Sequence, residues 1–123
     1  LLGVALSKVP GRLPEAIEQY KAAVAIQPEY ADAHTSLGIA LASMPDRLPE
    51  AIQEFRAVVR LRPDSAEAHT NLGLALSRDP RGLSEAVSEF AQSVRIRPDP
   101  AVQKTLDNCR EALRKSRSPK PPA

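Results

Sequence analysis

The chain has 123 residues, of which 42% are apolar and only 3% are aromatic, and its net charge is +2. That composition suits a core packed by Ala, Leu, Ile and Val, and because runs with strand-like alternation are missing, sheets are not expected. No apolar run approaches the roughly 20 residues of a membrane helix, and the single cysteine, Cys109, excludes an intramolecular disulfide, as is usual in a reducing compartment such as the cytoplasm.

A period of 35 residues organises the chain, because residues 31–65 and 66–100 align without a gap. Residues 1–30 continue the same register backwards, with Tyr20 at the position of Phe55. The sequence therefore predicts a truncated repeat over 1–30, consisting of part of a first helix and a complete second helix. We expect the chain to be the C-terminal piece of a longer array.

The sequence pattern predicts two helices in each of the repeats 31–65 and 66–100, here called helix A and helix B. Helix A of 31–65 runs to about Ser43, with an apolar stripe at helical spacing made of Ala33, Leu37, Ala40 and Leu41. Helix B begins at Pro49, which is well tolerated in a first turn. Its apolar stripe consists of Ile52, Phe55, Val58 and Val59.

Gly38 and Gly73 recur inside helix A, where glycine costs about 1 kcal/mol relative to alanine. A recurring glycine in a helix interior indicates close packing. We expect helix B to cross helix A so closely that a β-carbon would clash. Ala51 is the expected small counterpart, and Phe55 is expected to fill the space one turn further along.

These residues resemble the tetratricopeptide repeat: Leu-Gly in helix A, Ala and then an aromatic four residues later in helix B, and a closing proline. The resemblance covers residues 1 to about 100. It implies an all-α solenoid of stacked antiparallel helix pairs in a right-handed superhelix. The chain departs from the family in its period, which is usually 34, and in His34 and His69, which replace a common aromatic.

Residues 101–115 predict a terminal capping helix, since Val102, Leu106, Cys109 and Leu113 form one apolar stripe on an otherwise charged segment. Residues 116–123 are basic and rich in proline, and we expect them to be disordered. The segment 101–123 holds six basic and two acidic side chains, so the body of the chain is slightly acidic.

Motifs for chemistry are missing from the sequence. There is no glycine-rich phosphate loop and no set of residues with metal-ligand spacing, so no cofactor, no metal and no catalytic residue is expected. His34 and His69 are interpreted as packing near the interface of helices A and B, and Cys109 as a small buried residue. The repeated helix B glutamates, which include Glu54 and Glu89, are interpreted as serving the helix dipole and solubility.

The resemblance implies that helix A lines a concave groove that binds an extended peptide or a helix. The residues expected along it are Val4, Ser7, Asp32, Thr35, Ile39, Ala42, Glu67, Thr70, Leu74 and Ser77. The alternative is that these side chains pack against neighbouring helices A. Family members that grip the C-terminal carboxylate of a chaperone use Lys, Arg and Asn on these helix faces. The matching places here hold Thr35, Ile39, Asn71, Val102 and Leu106. Because only Asn71 fits that pattern, the clamp is not expected.

The predicted function is a non-catalytic scaffold that binds a peptide or a partner protein. The alternative is a segment appended to a larger enzyme, such as a glycosyltransferase, which presents substrate or mediates oligomerisation. Self-association through the truncated N-terminal edge is a further possibility. Nucleic acid is not an expected partner, because the body is acidic and lacks interleaved aromatic and basic positions.

Overall fold

The computed structural model describes residues 13–117, and within that range the chain forms six α-helices, two short 3-10 turns and no strand. The 3-10 turns are Pro45–Arg47 and Pro80–Gly82. The prediction of an all-α fold is confirmed. The helices are α1 (Leu13–Ile26), α2 (Ala31–Ala42), α3 (Leu48–Leu61), α4 (Ala66–Leu76), α5 (Leu83–Ile96) and α6 (Pro100–Arg117).

The chain divides into two compact units, the first ending at Asp64 and the second beginning at Ser65. In the first unit α2 and α3 form a packed pair, and α1 packs on α2. In the second unit α4 and α5 form the equivalent pair, and α6 packs on α5. Because a short turn joins the helices of each pair, the two helices are antiparallel. They are helices A and B of the predicted repeats.

The helix ends follow the expected signals to within two residues. Ser43 is the C-terminal cap of α2, and α3 begins at Leu48 with Pro49 in its first turn. Ser65 caps the start of α4, where its hydroxyl accepts a hydrogen bond from the backbone N–H of Ala68 at 3.1 Å. The terminal helix was predicted to end at residue 115 and continues to Arg117.

The core of the first unit consists of small and aliphatic side chains, as the composition predicts. Ala33, Leu37, Ala40 and Leu41, the predicted stripe of α2, are all buried. On α3 the side chains of Phe55 and Val58 are buried, while Ile52 and Val59 are half-buried. Burial of these apolar side chains is the main source of stability for helices of this length.

The expected close approach at the helical glycines is confirmed, but the neighbour that causes it differs from the expectation. A β-carbon on Gly38 would lie 2.6 Å from Cε1 of Phe55, and one on Gly73 would lie 2.8 Å from Cε1 of Phe90. The aromatic ring therefore lies directly on the glycine rather than one turn further along. Ala51, the expected counterpart, is fully buried but is not among the nearest atoms to that β-carbon.

Helix α6 has the character expected of a capping helix. Leu106 and Cys109 are buried and Val102 and Leu113 are half-buried, which is the predicted apolar stripe. Among residues 101–116 nearly all remaining side chains are exposed, and most are polar. Between residues 13 and 117, no helix combines the length and hydrophobicity of a membrane-spanning segment. The partial first helix and most of the predicted disordered tail lie outside the described residues.

Candidate protein-binding surface

The two helices A that the structure describes, α2 and α4, each carry a row of accessible side chains opposite the buried stripe. On α2 the row is Asp32, Thr35, Ile39 and Ala42, and on α4 it is Glu67, Thr70, Leu74 and Ser77. The spacing of three or four residues places the members of a row on one face of their helix. These are eight of the ten predicted groove residues. Val4 and Ser7 lie outside the described residues.

The centre of each row is a large apolar side chain that its own unit leaves uncovered. The side chain of Ile39 is 52% exposed and that of Leu74 is 48% exposed. They occupy the same position of the repeat, so the exposure is a property of the helix A face rather than an accident of one helix. Ile26 and Leu61, the other exposed large apolar residues of the described chain, lie at the C-terminal ends of helices B.

The two threonines of the rows direct their hydroxyl groups into the protein. The Thr35 hydroxyl donates to the carbonyl oxygen of Ala31 at 3.0 Å. Thr70 Oγ1 lies 2.6 Å from Ser93 Oγ, and the buried Ser93 hydroxyl donates to the carbonyl oxygen of Ala66 at 3.0 Å. Both hydroxyls are engaged within their own units, so the threonines strengthen the apolar rather than the polar character of the rows. Ser93 of helix B was not among the residues predicted from the sequence, although its hydroxyl forms a hydrogen bond with a threonine of the exposed row.

An acidic residue stands in the first turn of each helix A, where the helix dipole favours negative charge. Asp32 and Glu67 are both exposed. Asp32 Oδ1 accepts a hydrogen bond from the guanidinium of Arg62 at 3.2 Å, which links the start of α2 to the end of α3. The eight described row residues include no lysine or arginine. Each of the two faces is thus apolar at its centre and acidic at one end.

A histidine of helix A pairs with a glutamate of helix B in both units. His34 Nδ1 lies 2.7 Å from Glu54 Oε1, and His69 Nδ1 lies 2.7 Å from Glu89 Oε1. The expectation that the histidines pack at the A–B interface is confirmed. The interpretation of Glu54 and Glu89 as solubility residues was wrong, because both carboxylates are largely shielded and hydrogen-bonded.

His34 has a second hydrogen-bonding partner on a different element. Its Nε2 lies 2.7 Å from the carbonyl oxygen of Pro28, in the connection between α1 and α2. An imidazole that donates to this carbonyl from Nε2 joins three segments of the first unit. The interaction holds α2, and with it the row around Ile39, against the elements on either side.

Ion pairs also hold the turns that lead into helix B. The guanidinium of Arg47 donates to both carboxylate oxygens of Glu50, at 2.6 and 2.9 Å, and this hydrogen bonding lowers the pKa of Glu50. In the second unit the Asp79 carboxylate accepts hydrogen bonds from the side chain and backbone of Arg81, which lower the pKa of Asp79. Both carboxylates stay ionised at neutral pH, so the turns remain charged and solvated.

Metal-ligating groups and the cysteine are two possible sources of chemistry among residues 13–117. Within residues 13–117, no group of three or more His, Cys, Asp or Glu side chains is placed to hold a metal ion. Cys109 is buried, and desolvation raises the pKa of its thiol. A nucleophilic cysteine requires the opposite shift, because the thiolate is the reactive form.

Comparison with protein families gives one match. The model described as "TPR repeat" matches residues 10–44 and 46–79, which together exceed half of the chain. Each matched segment runs from the start of one helix B through the following helix A. No curated protein matched the chain.

Solved structures with similar folds include three kinds of tetratricopeptide protein. The first domain of Spaghetti (RPAP3), bound to the HSP90 peptide SRMEEVD, has a TM-score of 0.80 and 20% identity over 90% of this chain and 86% of its own. A MamA RS-1 ArsTM double mutant has a TM-score of 0.79 and 23% identity over 94% of this chain and 62% of its own. A mutant of the Thermobaculum terrenum O-GlcNAc transferase has a TM-score of 0.69 and 21% identity over 80% of this chain but only 19% of its own. At these identities the likeness concerns the fold.

Proposed function

Because the chain belongs to the tetratricopeptide repeat family, we propose that it is a non-catalytic scaffold that binds a peptide or a partner protein through the exposed faces of its helices A. The observation that carries the proposal is the exposure of Ile39 and Leu74 at the same position of successive repeats. In this family the corresponding faces line the concave groove, and that resemblance supports a binding role for Asp32, Thr35 and Ala42 on α2 and for Glu67, Thr70 and Ser77 on α4.

The chemistry of the rows favours a partner with apolar side chains. An exposed isoleucine or leucine on a helix face gains stability when a partner covers it, at about 25 cal/mol per Å² of apolar surface. The acidic first turns at Asp32 and Glu67 favour a basic group on the partner near that end. A peptide or helix with apolar side chains at its centre and a lysine or arginine at one end fits both features.

The peptide seen with the RPAP3 domain is not the partner that this surface favours. Chaperone-binding family members hold the peptide carboxylate with basic and amide side chains, whereas the matching places here include Thr35, Ile39 and Val102. The matching residue Leu106 is 1% exposed and is packed inside the second unit. We expect the peptide SRMEEVD to bind the helix A faces at least tenfold more weakly than it binds the RPAP3 domain, as a titration followed by NMR shifts of the α2 and α4 amides would measure.

Affinity capture from cells of the source organism, with quantitative mass spectrometry, tests the proposed surface. The informative variant is Ile39→Asp/Leu74→Asp, which places charge on both helix A faces. Ile26→Asp is the matched control, since Ile26 is 86% exposed and lies on a helix B. Circular dichroism first verifies that all three proteins have the same helical content.

The expected result is at least one captured protein whose recovery falls in the double variant and is unchanged in the Ile26→Asp control. That protein is then purified and its binding measured directly. Partner lists that are identical for the wild type and the folded double variant would contradict the proposed surface. Equal losses in both variants would mean that surface hydrophobicity alone explains the capture.

The likeness to the O-GlcNAc transferase favours a second candidate. The matched region is 19% of that chain, so similar repeats occur there beside much additional sequence. In this alternative, an enzyme is encoded by the same reading frame. The repeats present substrate to that enzyme or mediate its oligomerisation. Reading the flanking coding sequence tests it: an adjoining catalytic domain would support the alternative, and further repeats alone would support the scaffold.

A further inference from the structure

The second unit contains a groove of about 590 Å³ between α5 and α6, away from the row on α4. Ala91 and Val94 of α5 and Leu106 of α6 form its apolar part. Leu106 is 1% exposed, so it is the floor, while Ala91 and Val94 are half-buried. The volume lies within the range of about 300–1,000 Å³ that is typical of ligand-binding clefts.

Two guanidinium groups line the same groove. Arg95 reaches it from α5 and Arg110 from α6, and both residues are exposed. Asp99 is the acidic residue in the lining, and one of its carboxylate oxygens accepts a hydrogen bond from the N–H of Ala101 at the start of α6. With two guanidinium groups against one carboxylate, the balance of charge lining the groove is positive.

Arg110 is not a residue that the repeat requires. In the 35-residue register it corresponds to Ala40 and Ala75, which are buried in their helices A. Arg95 has an arginine counterpart in Arg60 but an alanine counterpart in Ala25. Two arginines therefore flank the apolar floor because the terminal helix has Arg110 where the repeats have a small buried alanine.

We propose that this groove is a second binding site, which takes an acidic peptide segment carrying one large apolar side chain. The apolar side chain enters between Val94 and Leu106, and flanking carboxylates accept hydrogen bonds from Arg95 and Arg110. Arginine pairs well with carboxylates because its planar fork donates two parallel hydrogen bonds. The site differs in charge from the acidic helix A faces, so it selects a different segment and does not depend on their function.

A titration of the full ¹⁵N-labelled chain with the peptide acetyl-Asp-Glu-Leu-Asp-Glu-amide, followed by NMR, tests the site. We expect saturable shifts of amides in residues 91–110, affinity lost by about tenfold for Arg110→Ala, and weaker binding as salt rises. The variant repeats the alanine found at the equivalent positions, so it retains the fold. Arg114→Ala is the matched control, because Arg114 lies one turn further on α6, is exposed and pairs with Glu111. It should bind as the wild type does.

Two further peptides separate the contribution of the carboxylates from that of the apolar side chain. Replacing the four acids by Asn and Gln should weaken binding by about tenfold, and replacing Leu by Ser should do the same. Equal binding of the acidic and amide peptides, shifts confined to the helix A faces, or no saturable shift at millimolar peptide would overturn the proposal. Shifts of the same amides on dilution without peptide would mean that a second copy of the chain occupies the groove. Shifts on deletion of residues 118–123 would mean that this segment occupies it. Either result would also overturn the peptide assignment.

Discussion

The Phe55 ring occupies the space that a β-carbon on Gly38 would need, with its Cε1 2.6 Å from the position of that carbon. Phe55 is 4% exposed and is enclosed by the core of the first unit, so the ring cannot move away cheaply. The same relationship holds between Phe90 and Gly73. Glycine weakens α2 and α4 as helices, but its lack of a β-carbon leaves room for the phenylalanine ring of helix B.

Replacing Gly38 by alanine is expected to lower the free energy of unfolding by about 1–2 kcal/mol. The added carbon overpacks the core, which costs about 1–3 kcal/mol, and alanine's higher helix propensity returns at most about 1 kcal/mol. Urea denaturation followed by circular dichroism measures the change. The double variant Gly38→Ala/Phe55→Leu should lose less than the sum of the single changes, because the smaller side chain makes room. Additive losses would contradict the contact.

The fold was predictable from the sequence because the repeat presents each structural signal more than once. Leu37 and Leu72 are equivalent packing residues one period apart. Pro63 and Pro98 likewise mark the end of helix B at equivalent positions. A single glycine at position 38 would have been ambiguous. Its recurrence at position 73 indicated packing, although not which residue of helix B lies against it.

The side-chain pairs across helices A and B were not predictable in the same way. His34 and Glu54 are 20 residues apart, and their contact depends on the rotation of both helices, which the apolar stripe defines only to within a face. A usable signal was present: histidine and glutamate recur together at 69 and 89. The groove between α5 and α6 left no comparable signal, because Arg110 lies on the terminal helix, where the sequence departs from the repeat.

The His34–Glu54 pair is expected to contribute to stability. Glu54→Ala should lower the free energy of unfolding by about 1–3 kcal/mol, because it removes a hydrogen bond to a shielded imidazole. Glu54→Gln should lose less, since its amide oxygen can still accept a hydrogen bond. Differential scanning calorimetry measures the losses. Gln53→Ala, an exposed position on the same helix, should change the value by no more than about 0.5 kcal/mol. If Glu54→Ala matched that control, the pair would have no energetic role.

Cys109 is expected to react slowly with thiol reagents in the folded protein. Its side chain is buried, and burial raises the pKa of the thiol, so less thiolate is present at a given pH. The rate of modification by iodoacetamide should rise with pH, and the rise should occur at higher pH in the native chain than in the chain unfolded by urea. Overlapping pH profiles would show that the thiol is accessible and its pKa unperturbed.

The raised pKa of the Cys109 thiol also predicts how stability depends on pH. Above about pH 8.5, the usual pKa of an exposed thiol, the unfolded chain releases this proton before the native chain does. The native state then holds more protons than the unfolded state, so stability falls as pH rises. Cys109→Ala should remove that part of the dependence, which urea titrations at pH 7 and pH 10 would detect. An unchanged difference between the two pH values would assign the dependence to other groups.

Replacing Ser93 by valine is expected to leave the second unit as stable as before, or more stable by up to about 1 kcal/mol. The equivalent residue of the first unit is Val58, which is buried, and there Thr35 donates to the carbonyl oxygen of Ala31 in its own helix. In Ser93→Val the Thr70 hydroxyl can turn in the same way to the carbonyl oxygen of Ala66. That carbonyl then keeps a donor, and an apolar side chain replaces a buried hydroxyl.

Ser93→Ala is the matched control for this valine substitution. It leaves Thr70 the same choice of acceptor but adds no apolar volume, so it should be less stable than Ser93→Val by about 1 kcal/mol. Thermal unfolding of the two variants gives the comparison directly. A loss of about 2 kcal/mol in Ser93→Val would mean that the hydrogen bond from Ser93 to Ala66 cannot be replaced. The α2–α3 and α4–α5 pairs would then differ in the hydrogen bonds that they need beneath the threonine of each exposed row.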